Sequence, residues 1–414
     1  MKYDLIISGA GCIGLTFACL MAKSGLSVAV LNNTDIYARN VLGIGKKRGH
    51  DNKRFGVYNP PEILGQLPSR LFAIAAASLD IFEKAGILEV LKEHAQPINK
   101  ILIGDHNNHE QLIFDPKEIG RDDFGCMLDE RIIAKALIAE VQRHQNITLY
   151  KNVEINSIIY SPHHNQLHLS DGTTLLCDLL LVSEGKHSKT RKILGIETKN
   201  INYNQDVIIC DIEHEVDHRG VAVERLLTTG PFAVLPRVGG HKSGIIITGS
   251  GGTGRLLASK SGRDIEYIVK ERLGDCLGDI KLASSIAYFT LHLIYAKKYT
   301  ESRAALCGDA MHSIHPIAGQ GLNLGLRDIQ LLAQLINENI SLGLDIGSKR
   351  MLSRYSLQRD FDINLMISST HNINGIFASD FLPIQLLRRA GIQIIKNVSP
   401  LKKYVMSYAS GYKY

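Results

Sequence analysis

The strongest constraint on the fold is a glycine-rich hexapeptide near the start of the chain, Gly9–Gly14 (GAGCIG). It directly follows Asp4–Ser8, a short apolar run that predicts a buried strand. Leu15–Ser24 then has the pattern of a helix, and Ser27–Leu31 predicts a second strand. Between a strand and a helix, the spacing Gly-x-Gly-x-x-Gly indicates a dinucleotide-binding unit, whereas the hexapeptide alone would be only a glycine-rich turn.

Each glycine of this hexapeptide has its own expected role. Gly9 permits the tight turn, Gly11 lets a pyrophosphate approach the backbone, and Gly14 lets the helix pack closely on the strand. The second strand should end in an acidic residue that binds the ribose hydroxyls, but the chain has Asn32 at this position. Because asparagine can both accept and donate hydrogen bonds, we expect a weaker form of the same contact.

Residues 304–328 contain a second pattern of this kind. An apolar run reaches Gly308-Asp309, and after Pro316 the chain turns through Gly319-Gln320-Gly321 into an amphipathic helix. A glycine loop that opens a helix presents backbone N–H groups to an anionic ligand. We therefore expect this stretch and the first hexapeptide to hold the same ligand.

A further glycine turn follows the apolar strand Asp178–Val182. It starts with Ser183-Glu184-Gly185 and ends in the basic cluster Lys186–Arg191. This order predicts another edge that faces a nucleotide, and an ordinary turn at a strand end is the alternative.

Size and composition indicate a globular protein with several domains. With 414 residues the chain is expected to form two or three domains, and its 45% hydrophobic residues are ordinary for a soluble protein. Seven cysteines without a C-x-x-C pair predict buried thiols in a reducing compartment. We expect no signal peptide, membrane span or metal site, and a cytoplasmic location. The net charge of +6 indicates either a surface excess or an anionic partner, and no nucleic acid is expected.

The middle of the chain predicts an antiparallel sheet between the nucleotide-binding elements. Residues 202–248 and Ile286–Ile294 have alternating or apolar strand patterns. Before them, Ala73–Lys84 predicts a helix that Gly86 ends. Arg70 would stand at the start of this helix, where a positive charge is unfavourable, so we expect it to contact a ligand, at a phosphate or at the edge of a ring.

Two basic segments are candidates for surface contacts. Residues 37–67 have no clear periodicity and include the cluster Lys46–Arg54. The carboxyl-terminal run carries Arg388-Arg389 and Lys402-Lys403 among isoleucine, leucine and tyrosine residues. Each segment predicts either a solvated face or a peripheral contact, with the inner face of a membrane or a protein partner.

Taken together, Gly9–Gly14, Ser183–Arg191 and Gly308–Asp328 resemble the flavin-dependent aromatic hydroxylases of the p-hydroxybenzoate hydroxylase type. More narrowly, the chain is similar to the ubiquinone-biosynthesis hydroxylase family. The segments that carry this narrower resemblance are His315–Asp328 (HPIAGQGLNLGLRD), Glu224-Arg225, Gly230–Pro236 (GPFAVLP), Tyr355–Asp362 (YSLQRDFD), Phe377–Asp380, Leu387-Arg388 and Leu401-Lys402.

The resemblance implies an α/β fold with a Rossmann-like FAD-binding domain, an inserted antiparallel β-sheet substrate domain and a C-terminal helical region. We expect the discontinuous FAD-binding domain at residues 1–105, 125–198 and 299–345. The substrate domain is expected at residues 106–124 and 199–298, and the helical region at residues 346–414.

The resemblance also assigns cofactor-binding residues. FAD would lie with its pyrophosphate on the first hexapeptide, its adenosine at the end of the second strand, and its isoalloxazine along the loop that opens the helix after Pro316. Arg70 and Arg131 would supply basic contacts, and Glu184-Gly185 would face the nicotinamide partner, NADPH or NADH. The complete expected set is Gly9, Gly11, Cys12, Ile13, Gly14, Asn32, Arg70, Arg131, Val153, Glu184, Gly185, Gly308, Asp309, Pro316, Gly319, Gly321, Leu322 and Asn323.

The implied reaction needs no protein nucleophile and no metal. NADPH or NADH would reduce FAD, and the reduced flavin would use O2 to hydroxylate a phenol ring. Phe232–Pro236 is expected to approach the flavin, and its apolar character favours a hydrophobic prenylated phenol. For His312 and His315 we expect packing or hydrogen bonds at the flavin edge, with proton transfer as the alternative.

Two other functions fit the same residues. The substrate could be another secondary metabolite that is hydroxylated or epoxidised. The chain could also be an FAD-poor scaffold within a ubiquinone-biosynthesis protein complex. This interpretation rests on Asn32, Glu184 and the basic segment 37–67. The colour of the purified protein with added FAD distinguishes the scaffold from the enzymes.

Overall fold

A computed structural model describes residues 1–34, 55–58, 70–105, 111–316, 319–377 and 382–412. Of the basic segment 37–67, only residues 55–58 fall within these ranges, so its predicted surface contact lies outside the described residues. Residues 55–58 form a strand, although the segment has no clear periodicity in its sequence.

The chain alternates strands and helices in its first half and ends in helices. The strands are β1 (Lys2–Ser8), β2 (Val28–Asn32), β3 (Phe55–Tyr58), β4 (Leu71–Ala75), β5 (Gln96–Pro97), β6 (Lys100–Asp105), β7 (Gln111–Phe114), β8 (Gly125–Asp129), β9 (Ile147–Lys151), β10 (Ile155–Tyr160), β11 (Asn165–Leu169), β12 (Thr174–Val182), β13 (Thr198–His214), β14 (Val221–Leu227), β15 (Gly230–Pro236), β16 (Lys242–Ser250), β17 (Ile280–Leu282), β18 (Ile286–Ala296), β19 (Thr300–Glu301), β20 (Ala304–Leu306) and β21 (His312–Ser313). The helices are α1 (Cys12–Lys23), α2 (Ala76–Ala85), α3 (Leu88–Lys92), α4 (Glu130–Arg143), α5 (Lys189–Ile193), α6 (Thr253–Ala258), α7 (Gly262–Leu273), α8 (Gln320–Ser341), α9 (Lys349–Phe377), α10 (Leu382–Asn397) and α11 (Ser399–Ala409).

The first sheet has the strand order β10-β11-β12-β1-β2-β9, with β20 parallel to β12. Its centre is parallel, because β1 pairs in parallel with both β12 and β2. Leu5, Ile6 and Ile7 of β1 are fully buried, as expected of a parallel strand that is covered on both faces. Helix α1 packs against α4 and α8. This is the predicted Rossmann-like arrangement, and the α/β prediction is confirmed.

The second sheet has the order β21-β18-β13-β16-β15-β14-β6-β7 and is antiparallel except where β6 runs parallel to β14. Its own core includes Ile208, Phe232 and Ile245, against which Ile265 of α7 packs. The predicted domain boundary after residue 105 does not follow this sheet. It would separate β6 from β7, although the two strands form an antiparallel pair within one sheet.

A third, three-stranded sheet joins these two units, in the order β4-β8-β5. The predicted helix over Ala73–Lys84 was wrong at its start, because Ala73–Ala75 belong to β4 and pair with β8. The helix begins at Ala76 and ends, as expected, at Gly86, whose φ of +92° lies in the left-handed region. Arg70 therefore precedes a strand and does not start a helix.

The carboxyl-terminal helices return to the junction of the sheets. The carbonyl of Ser410 accepts a hydrogen bond from the N–H of Ala77 at 3.1 Å. The guanidinium of Arg121 lies 3.5 Å from the ring centre of Tyr412, and Lys402 pairs with Glu118 at 2.6 Å. Among the helices that the structure describes, none has the length and apolarity that crossing a bilayer requires.

Candidate functional site

The amino terminus of α1 has the properties of an anion-binding site. Gly11 is its N-cap, and no side chain caps the helix or places a negative charge in its first turn. A Cβ atom at Gly11 would meet no atom within 4 Å, so open space lies in front of these backbone N–H groups. A helix terminus with free N–H donors and a positive dipole end fits a pyrophosphate. The donor set therefore suits FAD.

The other two glycines allow close packing behind this site. A Cβ atom at Gly14 would lie 2.0 Å from the carbonyl oxygen of Gly9 and 2.7 Å from the Oγ of Ser183. Gly9 has a φ of +114°, and a Cβ atom there would lie 2.6 Å from the carbonyl oxygen of Ser183. The glycines thus bring α1 and β1 against the loop that follows β12.

Asn32 and Val153 lie side by side at the end of β2. The N–H of Val153 donates to the carbonyl of Asn32 at 2.9 Å, and Val153 is buried. The amide nitrogen of Asn32 donates to the carbonyl of Thr34 at 2.8 Å. The Nδ2 group of Asn32 is thus engaged in the turn that follows β2.

The carboxylate of Glu184 points into the protein. It accepts hydrogen bonds from the hydroxyls of Ser8, Ser188 and Thr190 and from the N–H of Thr190. Its role in the structure is thus to join β1 to α5. The neighbouring Gly185, with a φ of +85°, has open space around the position of a Cβ atom.

Arg191 connects the loop after β12 to the loop after β20. It is 4% exposed, and it donates to the carbonyls of Ala310 at 2.7 Å and Lys186 at 3.0 Å. A buried arginine that bonds two loops fixes their separation. The expected contribution of this basic cluster is therefore partly structural.

The third motif meets the first at Gly308. Gly308 has a φ of +57°, and a Cβ atom there would lie 3.3 Å from Ile13 of α1. A Cβ atom at Gly325 of α8 would lie 3.1 Å from the Cα of Gly308 and 2.9 Å from Ile13. Asp309, next in the chain, is partly exposed at this junction. The structure thus places Gly11, Ile13 and Gly308 around one region, where the resemblance placed the pyrophosphate.

A buried carboxylate, Asp328, holds Gly308 from behind. One oxygen of Asp328 accepts from the N–H of Gly308 at 2.9 Å and from Nε2 of His312 at 2.7 Å, and the other accepts from Nε of Arg359 at 2.7 Å. Burial acts to raise the pKa of Asp328, but His312, Arg359 and the Gly308 N–H outweigh it and keep this pKa below its usual value. The carboxylate is therefore ionised and fixes the backbone of the third motif.

Asn323 fastens the start of α8 to β4. Its Oδ1 accepts from the N–H of Ala75 at 2.9 Å, and its Nδ2 donates to the carbonyl of Ala73 at 2.8 Å. Gly319 is the N-cap of α8 with a φ of +61°, and a Cβ atom there would lie 3.1 Å from the Cβ of Ala73. Both polar atoms of the Asn323 side chain thus bond within the protein, so any contact with a cofactor at this point would come from backbone groups.

The remaining expected residues of this loop differ in their surroundings. Gly321 has open space at the position of a Cβ atom, and Leu322 packs against the main core. Pro316 is partly buried. Gly319, Gly321 and Leu322 thus lie at the amino-terminal end of α8, where the dipole favours negative charge.

Arg70 and Arg131 lie at one edge of the three-stranded sheet. The N–H of Glu130 donates to the carbonyl of Arg70, and Arg131 donates from its N–H to the Oδ1 of Asp129, each at 2.9 Å. Burial and Glu130 raise the pKa of Cys12 to about 12, and Arg70 acts to lower it. The guanidinium of Arg70 lies 4.8 Å from the ring centre of Phe72 and is near enough to act electrostatically on Cys12 in the first turn of α1.

His315 lies between this loop and the second sheet. An irregularity in β13, with Asn204 at a φ of +51°, directs Gln205 towards His315, and the two side chains are 3.2 Å apart. Bulges of this kind redirect side chains near active sites. Burial lowers the pKa of His315 to about 4, so the imidazole is neutral at pH 7.

The pH dependence of stability tests the buried state of His315. Between pH 6.5 and 4 the unfolded chain binds a proton at His315 that the folded protein does not. The free energy of unfolding therefore decreases as the pH is lowered through this range. Relative to His315→Gln, the wild-type protein should lose about 2 kcal/mol more between pH 8 and pH 5 in urea unfolding. His163→Gln, an exposed histidine, should keep the wild-type slope. Equal slopes for His315→Gln and wild type would contradict the assignment.

Sequence reasoning assigned no role to three buried charged residues that organise the site: Arg191, Asp328 and Arg359. Each lay within a segment that was singled out for other reasons. The available signal was a charged side chain at a position that the helical pattern places on the buried face, as with Asp328 in α8. Such a residue is buried with a partner, but the pattern does not show which one.

The fold and the three motifs define an FAD-binding protein, and the comparisons agree. Residues 67–361 match the family model described as FAD binding domain. Ubiquinone hydroxylase UbiL of Rhodospirillum rubrum is 31% identical over 99% of this chain and 89% of that protein. The mitochondrial ubiquinone biosynthesis monooxygenase COQ6 of Drosophila melanogaster is 25% identical over 99% and 90%.

A solved structure with the same fold is pqsL, a probable FAD-dependent monooxygenase from Pseudomonas aeruginosa. It superposes with a TM-score of 0.75 at 16% identity, over 95% of this chain and all of that one. The chain therefore belongs to the FAD binding domain family, is an FAD-dependent monooxygenase, and has ubiquinone hydroxylases among its relatives.

Proposed function

We propose that this enzyme uses FAD, NADPH or NADH, and O2 to hydroxylate the ring of a polyprenylated phenol in ubiquinone biosynthesis. The main support is the match to a ubiquinone hydroxylase along 99% of the chain, with the intact junction of Gly11, Ile13 and Gly308 in the same molecule. When bound, FAD supplies the chemistry, since it takes up a hydride and then activates oxygen.

The residues of the chain bind and orient the cofactor. The N–H groups at the start of α1 and the Gly308 loop would hold the pyrophosphate, with Arg70 and Arg131 at the edge. Asn32 and Val153 would hold the adenosine. Pro316 and the amino terminus of α8 would lie along the isoalloxazine, where the helix dipole stabilises negative charge on the ring. Glu184 would act by positioning the loop after β12, since its carboxylate is engaged within the protein.

An apolar surface next to this site supports a hydrophobic substrate. Leu71 and Ala73 of β4 and Leu235 of β15 pack against a cluster that contains Phe124 and Met127. The Cβ of Ala73 lies 3.1 Å from the point where a Cβ atom at Gly319 would be. The apolar surface therefore begins beside the expected isoalloxazine. Such a surface can receive an apolar ring and exclude water from it.

Only some side chains of β15 are expected to face the substrate. Phe232 and Val234 point into the core under α7, whereas Leu235 lies in the cluster beside β4. Side chains of a strand alternate between its two faces, so only one set can approach the flavin.

The substrate proposal is tested by the rate of flavin reduction. Under anaerobic conditions a prenylated phenol should speed reduction of the bound FAD by NADPH or NADH at least about tenfold, because substrate binding positions the reactants. The unprenylated p-hydroxybenzoate is the matched control and should have little effect. Faster reduction with p-hydroxybenzoate than with the prenylated phenol would rule the proposal out.

A peripheral membrane contact is part of the same proposal. Four apolar residues of the last two helices and their junction are between 38% and 52% exposed, namely Ile394, Val398, Leu401 and Tyr404. Residues 381–414 contain six lysines or arginines and no aspartate or glutamate. An exposed apolar face within a basic segment suits the inner, anionic surface of a membrane, where proteins of the ubiquinone pathway could also assemble with this enzyme.

Liposome sedimentation tests this contact. The protein should sediment with anionic liposomes at low salt and be released at high salt, because screening weakens the attraction. Leu401→Asp should reduce binding about tenfold, since it removes apolar contact and adds repulsion. Leu342→Asp, an equally drastic change at the exposed leucine that directly follows α8, should not. No sedimentation at low salt, or equal loss in both variants, would contradict the proposed surface.

A further inference from the structure

Helix α9 exposes a row of large apolar side chains on the face that is turned away from the protein. Leu357 is 77% exposed, Phe361 is 74% exposed and Leu365 is 37% exposed. Apart from Met1, no large apolar side chain that the structure describes is more exposed than Leu357 or Phe361. Their spacing of four residues places the three side chains on consecutive turns of one face, where they form a single ridge.

The opposite face of α9 supplies the contacts that hold this helix in the fold. Tyr355, Ile363 and Ile367 are buried in the main core, and Arg359 bonds the buried Asp328. The solvent face of a surface helix is normally polar or charged. Packing within the chain therefore does not account for the ridge, and a contiguous exposed apolar patch marks a surface that binds a partner.

The surroundings of the ridge carry almost no charge. Among residues 356–369, all of which the structure describes, Asp360 is the only charged residue that is exposed. Asp360 is turned to the side of the helix, where it accepts a hydrogen bond from the hydroxyl of Tyr299 at 3.0 Å. One negative charge does not attract an anionic membrane. An aromatic and aliphatic centre with few charges is instead the composition of an interface between proteins.

The ridge is suited to a second copy of itself. Side chains four residues apart form the ridges that interdigitate when two helices cross. A two-fold axis near Phe361 would make the two helices run in opposite directions, with Leu357 of one copy beside Leu365 of the other. Arg354, seven residues before Phe361, would then face Ser368 of the second copy. No like charges would meet along the ridge.

We propose that α9 is the interface of a symmetric homodimer, in which Phe361 packs against its counterpart and Leu357 against Leu365 of the second copy. One helix from each copy makes a small interface, so the dimer should form reversibly as the protein concentration rises. Arg359, on the opposite face of α9, holds Asp328. Dimer formation should therefore also raise the melting temperature at higher protein concentration.

Sedimentation equilibrium of the FAD-loaded enzyme tests the association. Between about 1 and 100 µM the wild-type protein should shift reversibly from monomer to dimer. Phe361→Asp places two carboxylates against each other at the axis and should raise the dissociation constant of the dimer at least about tenfold. Leu256→Asp makes the same kind of change on α6, at a leucine that is 62% exposed, and should associate as the wild type does.

Two results of this measurement would overturn the proposal. One is a wild-type protein that stays monomeric throughout the range, and the other is an equal dissociation constant in Phe361→Asp and Leu256→Asp. Leu357→Asp should weaken the dimer in the same direction as Phe361→Asp. Far-ultraviolet circular dichroism shows which of these variants are folded, and the comparison with Leu256→Asp uses a folded one.

Disulfide trapping tests the antiparallel geometry. Every variant also carries Cys276→Ser, because Cys276 is exposed in the native chain. Phe361→Cys should cross-link to itself, since residue 361 lies at the axis. Leu357→Cys and Leu365→Cys should form a cross-linked dimer mainly when the two proteins are mixed. Equal cross-linking of Leu256→Cys and Phe361→Cys, or cross-linking of Leu357→Cys with itself rather than with Leu365→Cys, would overturn the proposed pair.

Liposome sedimentation distinguishes a second copy from a lipid surface. Phe361→Asp should bind anionic liposomes as the wild type does, because the proposed membrane contact lies on α10 and α11. Loss of liposome binding in Phe361→Asp, together with wild-type sedimentation of this variant without lipid, would assign the ridge to a membrane and overturn the homodimer.

Discussion

Gly14→Ala should destabilise the protein by about 3 kcal/mol and prevent tight FAD binding. The new Cβ atom would lie 2.0 Å from the carbonyl oxygen of Gly9, a backbone atom that cannot rotate away. Helix α1 would have to move off β1, and such overpacking of a tight core is costly. Urea unfolding of the apoprotein measures the loss of stability.

Gly11→Ala is the matched variant and should weaken FAD binding without a loss of stability. Its φ of −80° suits alanine, and its Cβ atom would meet no protein atom within 4 Å. The apoprotein should therefore keep its free energy of unfolding to within about 0.5 kcal/mol. FAD should nevertheless bind about 10–100-fold more weakly, because the methyl group occupies the space in front of the N–H donors. Wild-type FAD affinity in Gly11→Ala would place the pyrophosphate somewhere else.

Asp328→Asn should cost about 3–5 kcal/mol of stability, the second large effect that we expect. Asp328 is fully buried, is the charge partner of Arg359 and bonds His312. An amide of the same size leaves the buried guanidinium without its full countercharge, which is a strongly destabilising change. Because the same carboxylate accepts from the N–H of Gly308, bound FAD should also be released at a lower concentration of urea.

Asp80→Asn is the control for this prediction. Asp80 is an exposed aspartate of α2, and its replacement should change the free energy of unfolding by no more than about 0.5 kcal/mol. Flavin absorbance and far-ultraviolet circular dichroism, followed in the same urea titration, separate cofactor release from unfolding. If Asp328→Asn unfolds and releases FAD at the same urea concentrations as Asp80→Asn, the buried network does not support the third motif.

The first motif was predictable because its information is local. Gly9, Gly11 and Gly14 lie between a strand and a helix that their own sequence predicts, and the turn they form depends on residues within the same unit. The same holds for the left-handed glycine that ends α2. The family resemblance then supplied the cofactor, which local patterns alone could not name.

The contacts that connect the motifs were not predictable in the same way. Arg191 bonds Ala310, and Asp328 bonds Arg359, pairs that are separated by 119 and 31 residues. The strand β4 was mistaken for the start of a helix, because an alanine-rich run suits either structure until its partner β8 is known. Pairing of this kind is a property of the tertiary structure.

Glu184 illustrates how a correct motif can carry an unexpected role. The glycine turn after β12 lies beside Gly9. Its carboxylate, however, bonds Ser8, Ser188 and Thr190 and so holds the loop together. We therefore expect the nicotinamide contact, which is still a prediction, to depend on the backbone near Gly185.

Isotope incorporation tests the central claim most directly. The purified enzyme is loaded with FAD and supplied with NADPH or NADH, a prenylated phenol and 18O2, and the product is analysed by mass spectrometry. We predict a phenol with one added ring oxygen that carries the heavy isotope, because flavin monooxygenases take that atom from O2. Absence of a hydroxylated product, or an added oxygen that comes from water, would contradict the account.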